Sequence, residues 1–317
     1  MAEIGKSILK AQQLLQAGEL VAIPTETVYG LAGNGFNPTA VAQIFKVKNR
    51  PSFDPLILHT SSLDKVKRFV REFPEKAAQL AEAFWPGPLT LLLPKSAQVH
   101  DIVTSGLDTV AVRIPKHPMT LAVLSGLDFP VAAPSANPFS YISPTRAVHV
   151  NQHLGDQIPY ILDGGNCQVG IESTIVGFPD GVPTIFRKGG TSLEAIERVI
   201  GKVDVRSHSS SQPQAPGMLK KHYSPKVPIL IGAIPELLTQ QHGKSVGVIS
   251  FTEDYLGKSE LQFTLSAKGD YSEAAQNLFA ALRALDALQP DVILVELLPE
   301  EDLGIAINDR LRRAAAQ

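Results

Sequence analysis

Lys46, Lys48 and Arg50 stand at alternating positions just before Pro51. In an extended segment their side chains project to one side, and Pro51 favours extension at Arg50. Such a cationic ribbon suits a phosphate-bearing ligand; taken alone it reads equally as a solvated basic turn. Arg113 and Arg187 close two apolar runs, Val110-Ala111-Val112 and Ile185-Phe186. Arginine offers a planar fork to carboxylate or phosphate, and lysine a point charge. Either arginine by itself could instead pair with a surface acid. Other polar groups fall at comparable places. Thr27 follows the apolar Leu20–Ile23 within Pro24-Thr25-Glu26-Thr27-Val28-Tyr29-Gly30-Leu31-Ala32-Gly33, and His59 ends Leu56-Ile57-Leu58. Ser135-Ala136-Asn137 comes after Pro130-Val131-Ala132-Ala133, with Ser143 downstream, and Ser173 opens Ser173-Thr174-Ile175-Val176. Ser135 and Asn137 can present hydroxyl and amide groups to phosphate oxygens, or form a capping turn. His59 reads as a ligand contact or as a satisfied structural histidine. Glu172-Ser173-Thr174 has no histidine at a telling spacing, which argues against a serine nucleophile. Cys167 has no cation beside it in sequence, which argues for an inert thiol.

These residues need a scaffold that brings separate stretches together. Apolar runs predict strands at 20–23, 56–59, 89–93, 109–114, 130–133, 160–163, 173–176 and 184–187. Helical spacing appears at 8–15, around 41–45, and at 63–70, 75–84 and 193–200. Gly30 and Gly33 read as turn glycines. Strands alternating irregularly with helices predict a mixed α/β sheet. If the strands share that sheet, the polar residues at their ends converge on one rim. Residues 204–227 form a linker, starting with an aperiodic Ser-rich run. Beyond it, strands at 228–231, 246–249 and 292–295 and a helix over 272–288 predict a small open parallel sheet. It carries no G-x-G-x-x-G signal, so no nucleotide site is assigned there. The domain reading is 1–203, 204–227 and 228–317.

Composition sets outer bounds. The 317 residues allow one large domain or two ordinary ones, and 44% hydrophobic against 19% charged residues suits a packed core rather than disorder. A net charge of −2 confines any phosphate or nucleic-acid site to a local patch. One cysteine excludes an internal disulfide framework and a cysteine-rich metal site. No apolar run reaches membrane-spanning length and Met1–Lys6 has no signal-peptide core, so a soluble cytoplasmic protein is expected.

Seven motifs occur in order: Pro24 to Leu31, Lys48-Asn49-Arg50-Pro51, Pro55-Leu56, Gly87-Pro88-Leu89-Thr90, Val112-Arg113-Ile114-Pro115, Pro134-Ser135-Ala136-Asn137 and Glu172-Ser173-Thr174-Ile175. Together they resemble the YrdC family of threonylcarbamoyl-AMP synthases, and the linker with its second domain resembles the long branch of that family. The resemblance implies a twisted mixed-sheet catalytic domain with a large basic cavity, and a small Rossmann-like C-terminal domain. It implies a reaction joining L-threonine, bicarbonate and ATP, with Mg²⁺, to give L-threonylcarbamoyl-AMP and pyrophosphate. The product would pass to a tRNA threonylcarbamoyl transferase complex that modifies position 37 of tRNAs reading codons that begin with A. Direct tRNA binding is compatible with this but not required. By resemblance, Thr27, His59, Arg113, Ala133 and Ser173 hold threonine. Lys48, Arg50, Asp54, Thr109, Ser135, Asn137, Ser143, Arg187, His222 and Tyr223 hold ATP, with Lys48 and Arg50 catalytic. Asp54 stands where the family commonly has Asn; a carboxylate there repels triphosphate unless a cation meets it. Two other classes stay open: a non-catalytic RNA-binding translation factor, and a carbamoyl-handling enzyme of the same fold.

Within the linker, Ala215–Pro225 is too rich in special residues for a spacer. Pro216-Gly217 sets a turn and Pro225 restricts Ser224. Lys220, Lys221, His222 and Tyr223 then form a short finger, read either as a lid over the cavity or as a patch that docks the two domains.

Overall fold

The computed structural model describes residues 1–206, 213–219, 222–255, 257, 259 and 261–316. The first part of the chain runs β1 (Glu3–Gly5), α1 (Ile8–Gln16), β2 (Val21–Ile23), β3 (Gly30–Asn34), α2 (Pro38–Lys48), β4 (Ile57–His59), α3 (Leu63–Val66), α4 (Glu75–Phe84) and β5 (Leu89–Pro94). It continues through α5 (Asp101–Thr104), β6 (Thr109–Arg113), α6 (Pro118–Ser125), β7 (Val131–Ala132), α7 (Ala147–Leu154), β8 (Tyr160–Leu162), β9 (Thr174–Gly177), β10 (Thr184–Arg187), α8 (Leu193–Ile200) and β11 (Asp204–Val205). These strands make one mixed sheet in the order β1-β8-β2-β3-β7-β4-β6-β5-β9-β10-β11. The second part adds β12 (Ile229–Ile231), α9 (Ile234–Gln240), β13 (Val246–Ser250), β14 (Leu261–Thr264), α10 (Tyr271–Leu288), β15 (Val292–Val295) and α11 (Asp302–Ala314). Its four strands pair in parallel in the order β12-β15-β13-β14.

Three expectations are corrected. Gly30 and Gly33 belong to β3, antiparallel to both β2 and β7. They are glycines because the sheet is crowded: a Cβ on Gly33 would lie 2.8 Å from Leu20 Cδ2, and one on Gly30 3.2 Å from Ala133 Cβ. The cationic ribbon is not extended. Asn37 caps α2 by accepting from Thr39 N, Pro38 opens it, and Asn49 ends it at φ 50°. Lys46 and Lys48 are therefore separated by helical rotation, Lys46 exposed and Lys48 buried. The helical pattern over 63–70 yields only the single turn of α3.

Alternation along the central strands separates two kinds of packing. Leu58, Leu91, Val110, Val112 and Val176 enter the main hydrophobic core. Their neighbours Ile57, Leu92, Ala111, Ile175 and Phe186 face the other way and make an apolar floor, covered by Ala215 and Met218 of the linker. The core of the second part takes in Val28, Ile142, Ile171 and Tyr223 from before the second sheet, so the two parts are joined by shared apolar packing.

Candidate active site

The floor's two-residue period carries polar groups on the same face. His59 lies two residues beyond Ile57, Arg113 two beyond Ala111, Thr90 two before Leu92, and Ser173 two before Ile175. Parallel pairing sets His59 beside Arg113, and β5 and β9 bring Thr90 and Ser173 together at 2.7 Å between hydroxyls. The cavity thus lies over a sheet face, where the sequence suggested a rim. Its lining includes Thr27, Arg50, His59, Arg113, Ala133, Ser135, Glu172, Ser173, Arg187, His222 and Tyr223.

Each arginine is aimed by fixed acceptors. Arg113 donates from Nε to Gly87 O (3.1 Å) and from Nη1 to Thr27 Oγ1 (3.0 Å), and its Nη2 lies 2.8 Å from Glu26 Oε1. Thr27 is held in turn: Thr25 Oγ1 accepts from the Thr27 and Val28 N–H groups, and the two threonine hydroxyls are 2.8 Å apart. Arg187 donates from Nε to Ser173 O and from Nη2 to Ser173 Oγ, both at 3.0 Å, and burial lowers its pKa to about 10. Arg50 donates to Asp54 O (3.0 Å) and Pro55 O (2.8 Å), with Asp54 Oδ2 at 2.9 Å. Burial pushes the Asp54 carboxyl up while Arg50 and Lys48 pull it down, so the Asp that replaces the expected Asn meets cations of this chain. Lys48 does not reach the cavity surface. Its ammonium donates to Ser135 O and Asn137 O, and burial, then Arg50, takes its pKa well below the ordinary lysine value.

His59 is neutral: burial, then Arg113, lowers its pKa to about 3. Its Nδ1 lies 3.2 Å from Ile57 O, which makes Nδ1 the protonated nitrogen and leaves Nε2 as an acceptor. Asn137 donates to Pro138 O and Tyr141 O at 2.9 Å each, and Ser143 donates to Glu172 Oε1 at 2.6 Å. Burial opposes ionisation of Glu172, but Arg310, Arg187 and the Ser143 hydroxyl outweigh it and hold its pKa low. Thr109 is at the far end of β6 from Arg113 and lines a separate cavity with Leu92, Phe178, Phe186 and Gln214. Burial raises the Cys167 thiol's pKa, so it stays protonated.

The linker forms the roof. Gly217, at φ 77°, brings backbone against Arg187, where a Cβ would meet Arg187 Cδ at 3.2 Å. Tyr223 is fully buried at φ 62°, 4.0 Å from the His222 ring and 5.4 Å from the Phe279 ring. Lys220 and Lys221 of the expected finger lie outside the described residues. With Pro216, Gly217, His222 and Tyr223 in its wall, the cavity keeps a free volume of only about 50 Å³, well below that of a ligand-sized pocket. The expected large cavity is therefore closed in this structure. Tyr223 Oη, His222 Nδ1 and Asn137 Oδ1 are buried without a hydrogen-bond partner. Among the described residues no cluster of three or more His, Cys, Asp or Glu could hold a metal. Glu26, Asp54 and Glu172 each face a guanidinium, a donor set that does not build a magnesium cage. No described helix is long and apolar enough to cross a membrane.

Sequence reasoning missed Arg310 and Arg313 on α11. Their signal was the polar run Asn308-Asp309-Arg310 set among Leu303, Ile307 and Leu311, an apolar stripe at helical spacing.

Fold and site together define a mixed α/β protein with a small, roofed cavity lined by Arg50, Arg113 and Arg187. Residues 13–189 match the family Sua5_yciO_yrdC, described as "Telomere recombination", and residues 191–316 match "Threonylcarbamoyl-AMP synthase, C-terminal domain". The chain is 41% identical over 326 residues to a threonylcarbamoyl-AMP synthase of Pyrococcus abyssi, covering 96% of this chain and 93% of that protein. It is 41% identical over 321 residues to that of Bacillus subtilis, covering 97% and 92%. A crystal structure of P. abyssi Sua5 complexed with L-threonine superposes with a TM-score of 0.93 at 39% identity, covering 99% of this chain and 97% of that one. The chain belongs to the threonylcarbamoyl-AMP synthase family, in its two-domain form.

Proposed function

We propose that the chain condenses L-threonine, bicarbonate and ATP into L-threonylcarbamoyl-AMP, pyrophosphate and water, the water leaving as bicarbonate carboxylates the threonine amine, for transfer of the threonylcarbamoyl group to tRNA by a separate complex. The observation that carries this reading is the meeting of the Arg50, Arg113 and Arg187 guanidiniums in one closed space beside unpartnered buried polar atoms. An anionic ligand compensates such charges, and orphaned donors and acceptors await partners.

Threonine sits with its carboxylate on Arg113, between Thr27 and Ser173 and against Ala133. Neutral His59 accepts a hydrogen bond from its ammonium or hydroxyl at Nε2, and with its pKa lowered to about 3 it stays unprotonated there. ATP lies along Arg50, Ser135, Asn137, Ser143 and Arg187, with Lys48 and Asp54 behind Arg50, and reaches toward Thr109. Arg50 stabilises charge on the phosphates as the carbamate oxygen attacks the α-phosphorus and pyrophosphate leaves, and Lys48 behind it holds the Ser135 and Asn137 backbone in place rather than touching the phosphates. Mg²⁺, if bound with the triphosphate, would offset phosphate charge there; Glu26, Asp54 and Glu172 are already paired with arginines. No covalent nucleophile is needed, because positioning and charge stabilisation suffice.

His222 and Tyr223 act as a lid over the nucleotide and keep water from the labile carbamate and adenylate. Opening and closing of the linker reconciles the small free volume with a nucleotide-sized ligand. In this reading the N-terminal domain holds a basic cavity, the C-terminal parallel sheet is a small Rossmann-like domain, and the protein works in the cytoplasm. The test is pyrophosphate release with threonine and bicarbonate each left out in turn. Release is expected to require both; equal release without threonine overturns the reading.

A further inference from the structure

Helix α11 sends two arginines across the boundary between the two sheets. Arg310 has no exposed surface and Arg313 is 4% exposed. Arg310 donates from Nε and Nη2 to Glu172 Oε2, at 3.2 and 3.1 Å, and from Nη1 to Lys188 O. The other Glu172 oxygen takes the Ser143 hydroxyl, so Arg310 fixes the carboxylate next to Ser173 and the backbone next to Arg187. Arg313 donates from Nη1 to Gly217 O and from Nη2 to Leu219 O, two carbonyls of the roof. Asp309 Oδ2 joins the pair, 3.2 Å from Arg310 Nη1 and 3.6 Å from Arg313 Nη1. Both guanidiniums lie over the Tyr223 ring, at 5.4 and 5.3 Å from its centre.

Charge in this cluster balances: Arg310 and Arg313 against Glu172 and Asp309. A buried ion cluster is no better a stabiliser than apolar residues of the same volume. What it adds here is position, because its bonds end on Glu172 and Gly217, which line the cavity, on Lys188 next to Arg187, and on Leu219 of the roof. Neither arginine lines the cavity itself.

We propose that Arg310 and Arg313 are positioning residues of the reaction, a latch by which the C-terminal domain holds the roof and the Glu172–Ser173 segment in their closed places. The proposal rests on the reading of the cavity as the threonylcarbamoyl-AMP site. Arg313 secures the roof that brings Tyr223 and His222 over the cavity, whereas threonine capture depends on Arg113 and Thr27 below. Loss of the latch therefore lowers kcat and leaves the threonine KM nearly unchanged.

Arg313→Met keeps the side-chain stem and leaves Asp309 paired with Arg310; Arg313→Lys keeps the charge but not the fork. The Met variant is expected to lose about tenfold or more in kcat for pyrophosphate release with the threonine KM within about twofold, and the Lys variant to recover part of the loss. Apart from turnover, deuterium uptake by residues 213–219 in substrate-free protein should become about tenfold faster in the Met variant, and less so in the Lys variant. Wild-type kcat and wild-type uptake in either folded variant overturn the latch. Faster uptake in a protein whose wild type makes no pyrophosphate from these substrates supports the latch and overturns the functional reading instead.

Discussion

Among the cavities that border both parts of the molecule, two contrast sharply, and the larger has the weaker claim to chemistry. The open cleft between α7 and α10 has a volume of about 450 Å³ and is walled by Val148, Phe263, Leu265, Ala280, Ala284 and Ala287, with Arg146, His149 and Arg283 at its edges. Arg283 donates to Ser143 O and Ile142 O, as the cavity arginines donate to their own acceptors, but no described residue lining this cleft carries a buried unpartnered side-chain polar atom. The roofed cavity keeps only about 50 Å³, yet three aimed arginines and the unpartnered Tyr223 Oη and His222 Nδ1 belong to its lining residues. Free volume reports where packing is loose. Buried charge costs desolvation, and where buried polar atoms beside it lack partners a ligand can repay that cost.

The sharpest way to break this contrast is to remove a cation from the roofed cavity. Arg187→Met is expected to cut turnover about 10²- to 10³-fold, equivalent to about 3–4 kcal/mol of lost charge stabilisation. Steady-state pyrophosphate release measures it, and near-normal turnover would reduce Arg187 to a strut for Ser173.

Arg113→Lys keeps the charge facing Glu26 but loses the fork. The threonine KM is expected to rise about tenfold, or about 1.4 kcal/mol, with the ATP KM little changed. A change in ATP affinity alone would assign Arg113 to the other substrate.

The histidines sharpen the contrast further. His59 lines the roofed cavity and His149 the open cleft, and burial lowers both to about 3. For each, the folded pKa lies below the unfolded value of about 6.5, so the unfolded chain binds the extra proton. Stability is complete above that pH and falls as pH drops toward 3, by up to about 1.4 kcal/mol per pH unit for each histidine. His59→Gln and His149→Gln are each expected to flatten this slope in denaturant titrations at pH 4–6.5. Only His59→Gln should also impair threonine use.

The smallest effect belongs to the cleft. Ala284→Phe occupies free space and is expected to leave turnover within about twofold of wild type, since no aimed charge is displaced. A large loss would make the cleft functional after all.

Much of this was legible in the chain. Strand ends at His59, Arg113 and Arg187 follow apolar runs that form β4, β6 and β10; period-two alternation puts His59 and Arg113 on the floor's face, whereas Arg187 reaches it through the irregular register of β10 against β9 between Ile185 and Arg187. Gly30–Asn34 was not legible, because glycine reads as a turn unless the crowding of Leu20 and Ala133 is known. Nor was the setting of Lys48: helix α2 turns it inward onto two carbonyls, so Lys48→Ala orphans buried acceptors, about 1–3 kcal/mol each, where a loop cation would have cost little. Glu172 and Arg310 are 138 residues apart. A pair at that separation leaves no local pattern, which is why the second domain's hold on the site appears only in three dimensions.

The central claim is that the small roofed cavity, rather than the large cleft, is the reaction site. A crystal structure with L-threonine and a non-hydrolysable ATP analogue tests it most directly. The threonine carboxylate is expected on the Arg113 guanidinium, beside Thr27 and Ser173, with the nucleotide along Arg50 and Arg187 and Tyr223 over it. Both ligands in the α7–α10 cleft, with the roofed cavity unchanged, would contradict it.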